Sequence, residues 1–322
     1  MTGMPSAGPP PLASASPSPS PSASPTPTPS QGVTQVTAEL IATRRVGAYQ
    51  QLTFLAPRVA EPARPGQFVA LAVGGPTSAN LLRRCFSIHQ ASPSGDRGDR
   101  GGTVDVVVAA HGPGTTWITE LTLHAEVDIV GPLGRPFPLP QEPVACVLVG
   151  GGYGSAPLFW LAQQLTARGC HVEMVLGAAS EDRLFGVVDA QRVADGVSVT
   201  TDDGSAGVKG WVSDVLPDVI RLSNAAVVYG CGPMGMLRSI TEIAAREGAV
   251  AQVAVEESMA CGVGVCMTCV MPVVGSDGQT RMVRSCVEGP VFRGDRVRWD
   301  AFTDGYGAVP PGTVGAPGQV GH

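Results

Sequence analysis

Charge is scarce in this chain. Only 15% of its 322 residues are Asp, Glu, Lys or Arg, the net charge is -6, and no basic run occurs. Nothing is therefore available to neutralise nucleic-acid phosphates or to hold an anionic membrane surface, and neither partner is expected. Residues 1–38 carry no charged side chain, and ten of the 29 prolines fall in the first 30 residues among Ser, Ala and Thr. That composition cannot repay its ordering entropy, so residues 1–32 read as a disordered extension. The extension also lacks the basic start and apolar run of a secretory signal and the arginines of a transit peptide. The uncharged stretch 143–162 is long enough to suggest a membrane span, but Gly150-Gly151-Gly152-Tyr153-Gly154-Ser155 interrupts it, and a strand, a turn and a helix account for it better. There is no internal repeat.

What is present is enough apolar residue, 43% of the chain, to bury about two or three cores. Over 33–142, short β-branched runs recur between turn signals, at 67–73, 103–109 and 125–130, which predicts a small antiparallel barrel or a sandwich. The rhythm changes over 143–255. Strands at 144–149, 171–176, 197–201, 225–229 and 252–255 alternate with helical stretches, including 158–162 and 234–246, which predicts a mostly parallel sheet covered by helices. A cysteine-bearing segment, 256–300, follows, and 301–322 reads as a flexible tail. The fold class expected is thus a multi-domain β plus α/β chain.

Four of the eight cysteines, Cys261, Cys266, Cys269 and Cys286, have the spacing C-x4-C-x2-C followed by a distant fourth. That is the spacing of a plant-type 2Fe-2S cluster. Gly262 and Gly264 between the first two let the backbone wrap tightly and aim amides at sulfur. A four-cysteine zinc site is the alternative, although zinc knuckles usually pair C-x2-C with a second C-x2-C, which is missing here. Such thiolates must stay reduced during assembly, and eight cysteines in so long a chain make no disulfide scaffold, so the cytoplasm is the expected compartment. Two glycine turns carry further chemistry. Gly150, Gly151, Gly152 and Gly154 follow one strand, and Gly232-Pro233 follows another and opens a helix. Either turn could bring backbone amides to a pyrophosphate, or be a plain tight turn.

Cys231-Gly232-Pro233-Met234-Gly235-Met236 resembles the C-G-P-x-x-M signature of the ferredoxin-NADP reductase superfamily, and Arg84-Cys85-Phe86-Ser87 is similar to its flavin motif R-x-[YF]-S. With the cysteine segment from Glu256 to Cys269, Cys286-Val287-Glu288-Gly289-Pro290-Val291-Phe292, and Thr201-Asp202-Asp203-Gly204-Ser205, the chain over about 33–300 resembles the electron-transfer subunits of bacterial NAD-linked dihydroorotate dehydrogenase. The resemblance implies an FAD-binding barrel, a Rossmann-like NAD lobe and a 2Fe-2S subdomain. It implies FAD contacts from Arg84, Cys85, Phe86 and Ser87, from Val107, Val108 and Ala109, and from Gly114 and Thr115. Ala109 stands where the family often has arginine, and Cys85 where it usually has proline; Cys85 is read as a small buried residue, not a ligand. Cys231 is either core filler, a reactive thiol or, as the resemblance implies, a residue positioned near the nicotinamide and flavin rings.

The reaction implied carries electrons from the FMN of a dihydroorotate-oxidising catalytic subunit through 2Fe-2S and FAD to NAD+, in pyrimidine biosynthesis and in a heterotetramer of two of each subunit. No segment is left over for a TIM barrel of about 250 residues, so the substrate site is expected on the partner. Met267 and Thr268, between Cys266 and Cys269, are the expected docking surface. Glu181 and Asp182 are expected to favour NAD over NADP, against Arg183. A related flavin and iron-sulfur subunit serving ferredoxin or a hydrogenase is an alternative, as is a zinc-stabilised binding module.

Overall fold

The computed structural model describes residues 32–75, 78–93, 101–303 and 306–314. The proline-rich extension, over 1–31, lies outside them. Six strands form a closed antiparallel barrel: β1 (Thr34–Val46), β2 (Tyr49–Leu55), β3 (Phe68–Leu71), β4 (Arg84–Ser92), β5 (Thr103–Val108) and β6 (Glu126–Leu133), ordered β1-β2-β5-β4-β3-β6. Sequence pattern alone left barrel and sandwich open. Closure is decided by the pairing of β1 with β6, which removes both sheet edges. The barrel core holds Leu40, Leu52, Phe54, Ile88, Val104, Val106, Val108 and Ile129, and the short helix α1 (Pro57–Ala60) adds Val59 and Ala60. Strand alternation points Val104, Val106 and Val108 inward and leaves Val107 to pack against the second lobe. Between β5 and β6 lies α2 (Pro113–Thr119).

The second lobe is a seven-stranded sheet built from β7 (Ala145–Gly151), β8 (His171–Ala178), β9 (Gly196–Thr201), β10 (Val208–Lys209), β11 (Val227–Cys231), β12 (Val250–Ala254) and β15 (Val291–Arg293). The order is β10-β9-β8-β7-β11-β12-β15. All neighbours are parallel except β15, which is antiparallel to β12. Helices α3 (Ala156–Thr166), α4 (Val187–Val193), α5 (Val212–Ser223) and α6 (Met234–Arg246) cover the sheet. Trp160 of α3 packs into the barrel's apolar cluster, so the two lobes share a buried boundary. The order of strands along the sheet reverses between the parallel neighbours β7 and β11, making the crevice at their carboxyl ends the place where such sheets bind ligands.

The cysteine segment is an insertion into the edge of this sheet. It lies between β12 and β15 and contains the hairpin of β13 (Val270–Val274) and β14 (Thr280–Arg284), followed by the single helical turn α7 (Ser285–Glu288). Beyond it, Phe302–Thr303 pairs with Tyr306–Gly307 and Val314 bridges Arg281. No helix is long and apolar enough to cross a membrane among the described residues.

Candidate functional site

The two glycine turns meet at the crevice. Gly150 bends the chain so tightly that a Cβ there would lie 2.4 Å from that of Ser155. Gly154 approaches the second turn, where a Cβ would stand 2.8 Å from the Gly232 Cα and 3.0 Å from the Cys231 carbonyl oxygen. Gly232 has φ +151°, and its own Cβ would meet Met236 Cε at 2.6 Å. Backbone touches backbone at this point, and only glycine permits that.

Two cavities open on either side of the contact. One, of about 560 Å³, is lined by Gly151, Gly152, Gly177, Thr200, Asp202 and Pro233, among others. Thr200 Oγ1 is buried there without a hydrogen-bond partner, and a Cβ at Gly177 would lie 3.0 Å from it and 2.4 Å from Val212 Cγ1. A bare backbone beside an unsatisfied hydroxyl fits an elongated polar ligand such as a dinucleotide. Trp211, two-thirds exposed, stands at the rim. Arg183 also lines this cavity, whereas the turn of Glu181 and Asp182 is drawn toward the barrel. There the Ala48 amide donates to the Asp182 carbonyl at 3.2 Å and the Tyr49 hydroxyl to the Arg183 carbonyl at 2.8 Å.

The other cavity, of about 410 Å³, is lined by Arg84, Cys85, Phe86, Ser87, Val107, Gly154 and Cys231, with Glu257 and Met259 opposite. Tyr153 and Glu256 line both cavities and form their common wall. Burial raises the Glu256 and Glu257 carboxyls above the ordinary range, and burial also pushes the Cys231 thiol well up, with Glu256 adding to it. Burial thus favours the neutral thiol at Cys231 over the reactive thiolate. Of the flavin-motif neighbours, Val108 turns its side chain into the barrel and Ala109 packs in the second lobe's apolar cluster. Gly114 faces the Arg84 guanidinium, with a Cβ position 3.0 Å from its Nε. The Thr115 hydroxyl accepts from the His111 and Gly112 amides, at 2.9 and 3.0 Å, closing its own turn. The Arg84 fork, the bare backbone of Gly154 and the edge of Phe86 in one cavity fit a flavin nucleotide.

Behind this cavity sits the cysteine loop. Cys85, Cys269 and Cys286 pack in one cluster with Phe68 and Leu133, and a Cβ on Gly262 would come 3.1 Å from Cys85 Sγ. Cys85 Sγ donates to the Met259 carbonyl at 3.9 Å; burial, then Cys261 and Cys269, push it up to about 12, so it stays a thiol. The other four sulfurs pair two and two. Cys261 lies beside Cys266, and Cys286 beside Cys269. Burial opposes ionisation of Cys261, but amides of Cys266, Val263 and Val265 outweigh it and bring the thiol down to about 6. Val263 and Val265 donate to its Sγ at 3.4 Å, and the Thr268 hydroxyl donates to Cys266 Sγ at 3.1 Å. Among the described residues no three Cys, His, Asp or Glu side chains converge on one ion position. Burial pushes the Cys286 thiol up to about 12, so the amides favour the thiolate at Cys261 alone. Two cysteine pairs, one of them with amides aimed at its sulfur, suit a binuclear iron-sulfur cluster. Sequence reasoning did not single out Tyr153, Glu256, Asp202, Trp211 or Arg284 as site residues. Their types are ordinary, and only the topology brings them here.

Comparison with known proteins follows the same lines. Residues 256–298 match the family model of the iron-sulfur cluster binding domain of dihydroorotate dehydrogenase B. The chain is 36% identical to the dihydroorotate dehydrogenase B (NAD(+)) electron transfer subunit of Desulforamulus reducens, over 77% of this chain and 92% of the relative. It is 37% identical to that of Geobacillus thermodenitrificans, over 82% and 97%. Among solved structures it resembles a chain from the NADH-dependent reduced ferredoxin-NADP oxidoreductase, with TM-score 0.70 and 29% identity over 82% of this chain and 91% of that one.

Proposed function

The chain belongs to the family of dihydroorotate dehydrogenase B electron-transfer subunits, and on that premise we propose how its own residues serve the transfer. When bound, the 2Fe-2S cluster supplies single-electron transfer from the catalytic subunit's FMN, and FAD supplies its conversion to hydride transfer to NAD+. Cys261, Cys266, Cys269 and Cys286 hold the cluster. Arg84, Cys85, Phe86, Ser87, Val107 and Gly114 form the FAD site, with Val108, Ala109 and Thr115 contributing shape from behind. Gly150, Gly151, Gly152, Gly154, Gly232 and Pro233 give NAD a backbone-lined berth, and Cys231 packs as a neutral spacer where the two cofactors meet. One observation carries this reading: the cysteine loop, the 410 Å³ cavity and the 560 Å³ cavity are contiguous in that order, joined first through Cys85 and Met259 and then through Tyr153 and Glu256.

The dihydroorotate-oxidising site is on the partner. Val263, Val265 and Met267, all substantially exposed on the cysteine loop, form the docking face, because electrons must enter close to the one-electron centre. Two copies of each subunit assemble, in the cytoplasm. Reconstitution tests the reading. The holo-subunit alone should pass electrons from NADH to artificial acceptors and leave dihydroorotate untouched, and dihydroorotate-dependent NADH formation should need the catalytic subunit. Oxidation of dihydroorotate by the isolated chain would refute it.

A further inference from the structure

Arg284 ends β14 beside the cysteine pairs, and its guanidinium has two partners. Nη1 donates to the Gly264 carbonyl at 3.1 Å, and Nη2 donates to Glu288 Oε1 at 2.9 Å. Glu288 Oε2 in turn accepts the Arg284 backbone amide at 3.0 Å, so the pair is locked to the backbone at both ends. The peptide unit that carries the Gly264 carbonyl also carries the Val265 N–H, which donates to Cys261 Sγ at 3.4 Å. A peptide is planar, so fixing its carbonyl aims its N–H. A cation on the carbonyl also polarises the unit and strengthens the N–H as a donor. Glycine at 264 is required for this turn: φ is +81°, and a Cβ would strike Val287 Cγ2 at 2.5 Å.

We propose that Arg284 is a positioning residue that sets the reduction potential of the cluster, acting on Cys261 through the Gly264–Val265 peptide, with Glu288 as its counter-charge. The proposal rests on the cluster assignment made above. Reduction adds one negative charge to the cluster. Donors to sulfur and a fixed cation nearby favour the reduced form, and a fixed anion favours the oxidised form. Loss of the Arg284 charge should therefore lower the potential, and loss of the Glu288 charge should raise it. A pair that merely braced the loop would give shifts of the same sign from either side.

The test is a redox titration of the holo-subunit, followed by the paramagnetism of the reduced cluster, on wild type, Arg284→Gln and Glu288→Gln, with iron, sulfide and FAD measured in each. For Arg284→Gln the reduction equilibrium should move about tenfold toward the oxidised form, about 59 mV for a one-electron couple. Glu288→Gln should move it upward, with iron and sulfide unchanged in both. Shifts of the same sign, or an Arg284→Gln potential equal to wild type, overturn the proposal. If Arg284→Gln loses its cluster while keeping FAD, Glu288→Gln decides: an upward shift supports the proposal and any other result overturns it. Wild-type chain lacking iron and sulfide altogether overturns the cluster assignment and the proposal with it, an outcome the metal analysis tells apart from the others.

Discussion

Arg84 lines the 410 Å³ cavity with Gly114 against its guanidinium, which among the described residues bonds main-chain carbonyls of Leu82 and Arg83 and has donors to spare for a pyrophosphate. Arg84→Ala should weaken FAD retention by about 1.5–3 kcal/mol, the worth of a charge-assisted contact. Flavin content should fall on gel filtration with iron unchanged, and unchanged flavin would remove Arg84 from the site. Gly154 belongs to the same scale. A Cβ there meets rigid backbone at 2.8 Å, so Gly154→Ala should cost about 1–3 kcal/mol as overpacking does, read as a lower melting temperature together with weaker NADH binding. The flavin motif and the four cysteines were legible because each is a local pattern of unusual residue types. Arg284 was not, since its partner Gly264 lies 20 positions away and only the fold of the hairpin brings them together.

At the scale of elements, the β-branched runs and the helix over 234–246 could be read from periodicity, and α6 spans those same residues. Register and closure could not, because non-local pairing sets them. The acidic residues illustrate the consequence. Glu181 and Asp182 follow β8 and look suited to a ribose, but contacts with Ala48 and Tyr49 hold their turn toward the barrel, and Asp202, after the neighbouring β9, lines the cavity instead. Its carboxylate can accept ribose hydroxyls and repel a 2'-phosphate. Asp202→Ser should therefore narrow the preference for NADH over NADPH in steady-state kcat/KM, and Glu181→Gln should leave it unchanged. The reverse pattern would return specificity to the β8 turn.

At the scale of the whole molecule, His89 joins the barrel to the second lobe. Its Nδ1–H donates to the Ala156 carbonyl at 2.6 Å, and its ring packs edge-on against Phe159 and Phe185. Burial holds its pKa below the ordinary value, although the Ala156 carbonyl, Asp105 and Asp189 pull upward and Arg44 adds to the lowering. A depressed histidine binds its proton more readily unfolded than folded, so its contribution is complete above the unfolded value of about 6.5 and is lost progressively as pH falls from there to the lower folded pKa. Wild type should therefore lose more melting temperature than His89→Gln between about pH 7.5 and about pH 5.5; an equal loss would show that other groups govern the acid limb. The central claim is that one chain holds cluster, flavin and nicotinamide sites in electronic contact. It is tested most directly by adding NADH anaerobically to the isolated holo-subunit while following flavin absorbance and the paramagnetic signal of the reduced cluster. The account predicts that the flavin bleaches and the cluster signal then grows, with no partner present. A bleached flavin beside a cluster that stays silent, or a colourless protein carrying stoichiometric zinc, would contradict it.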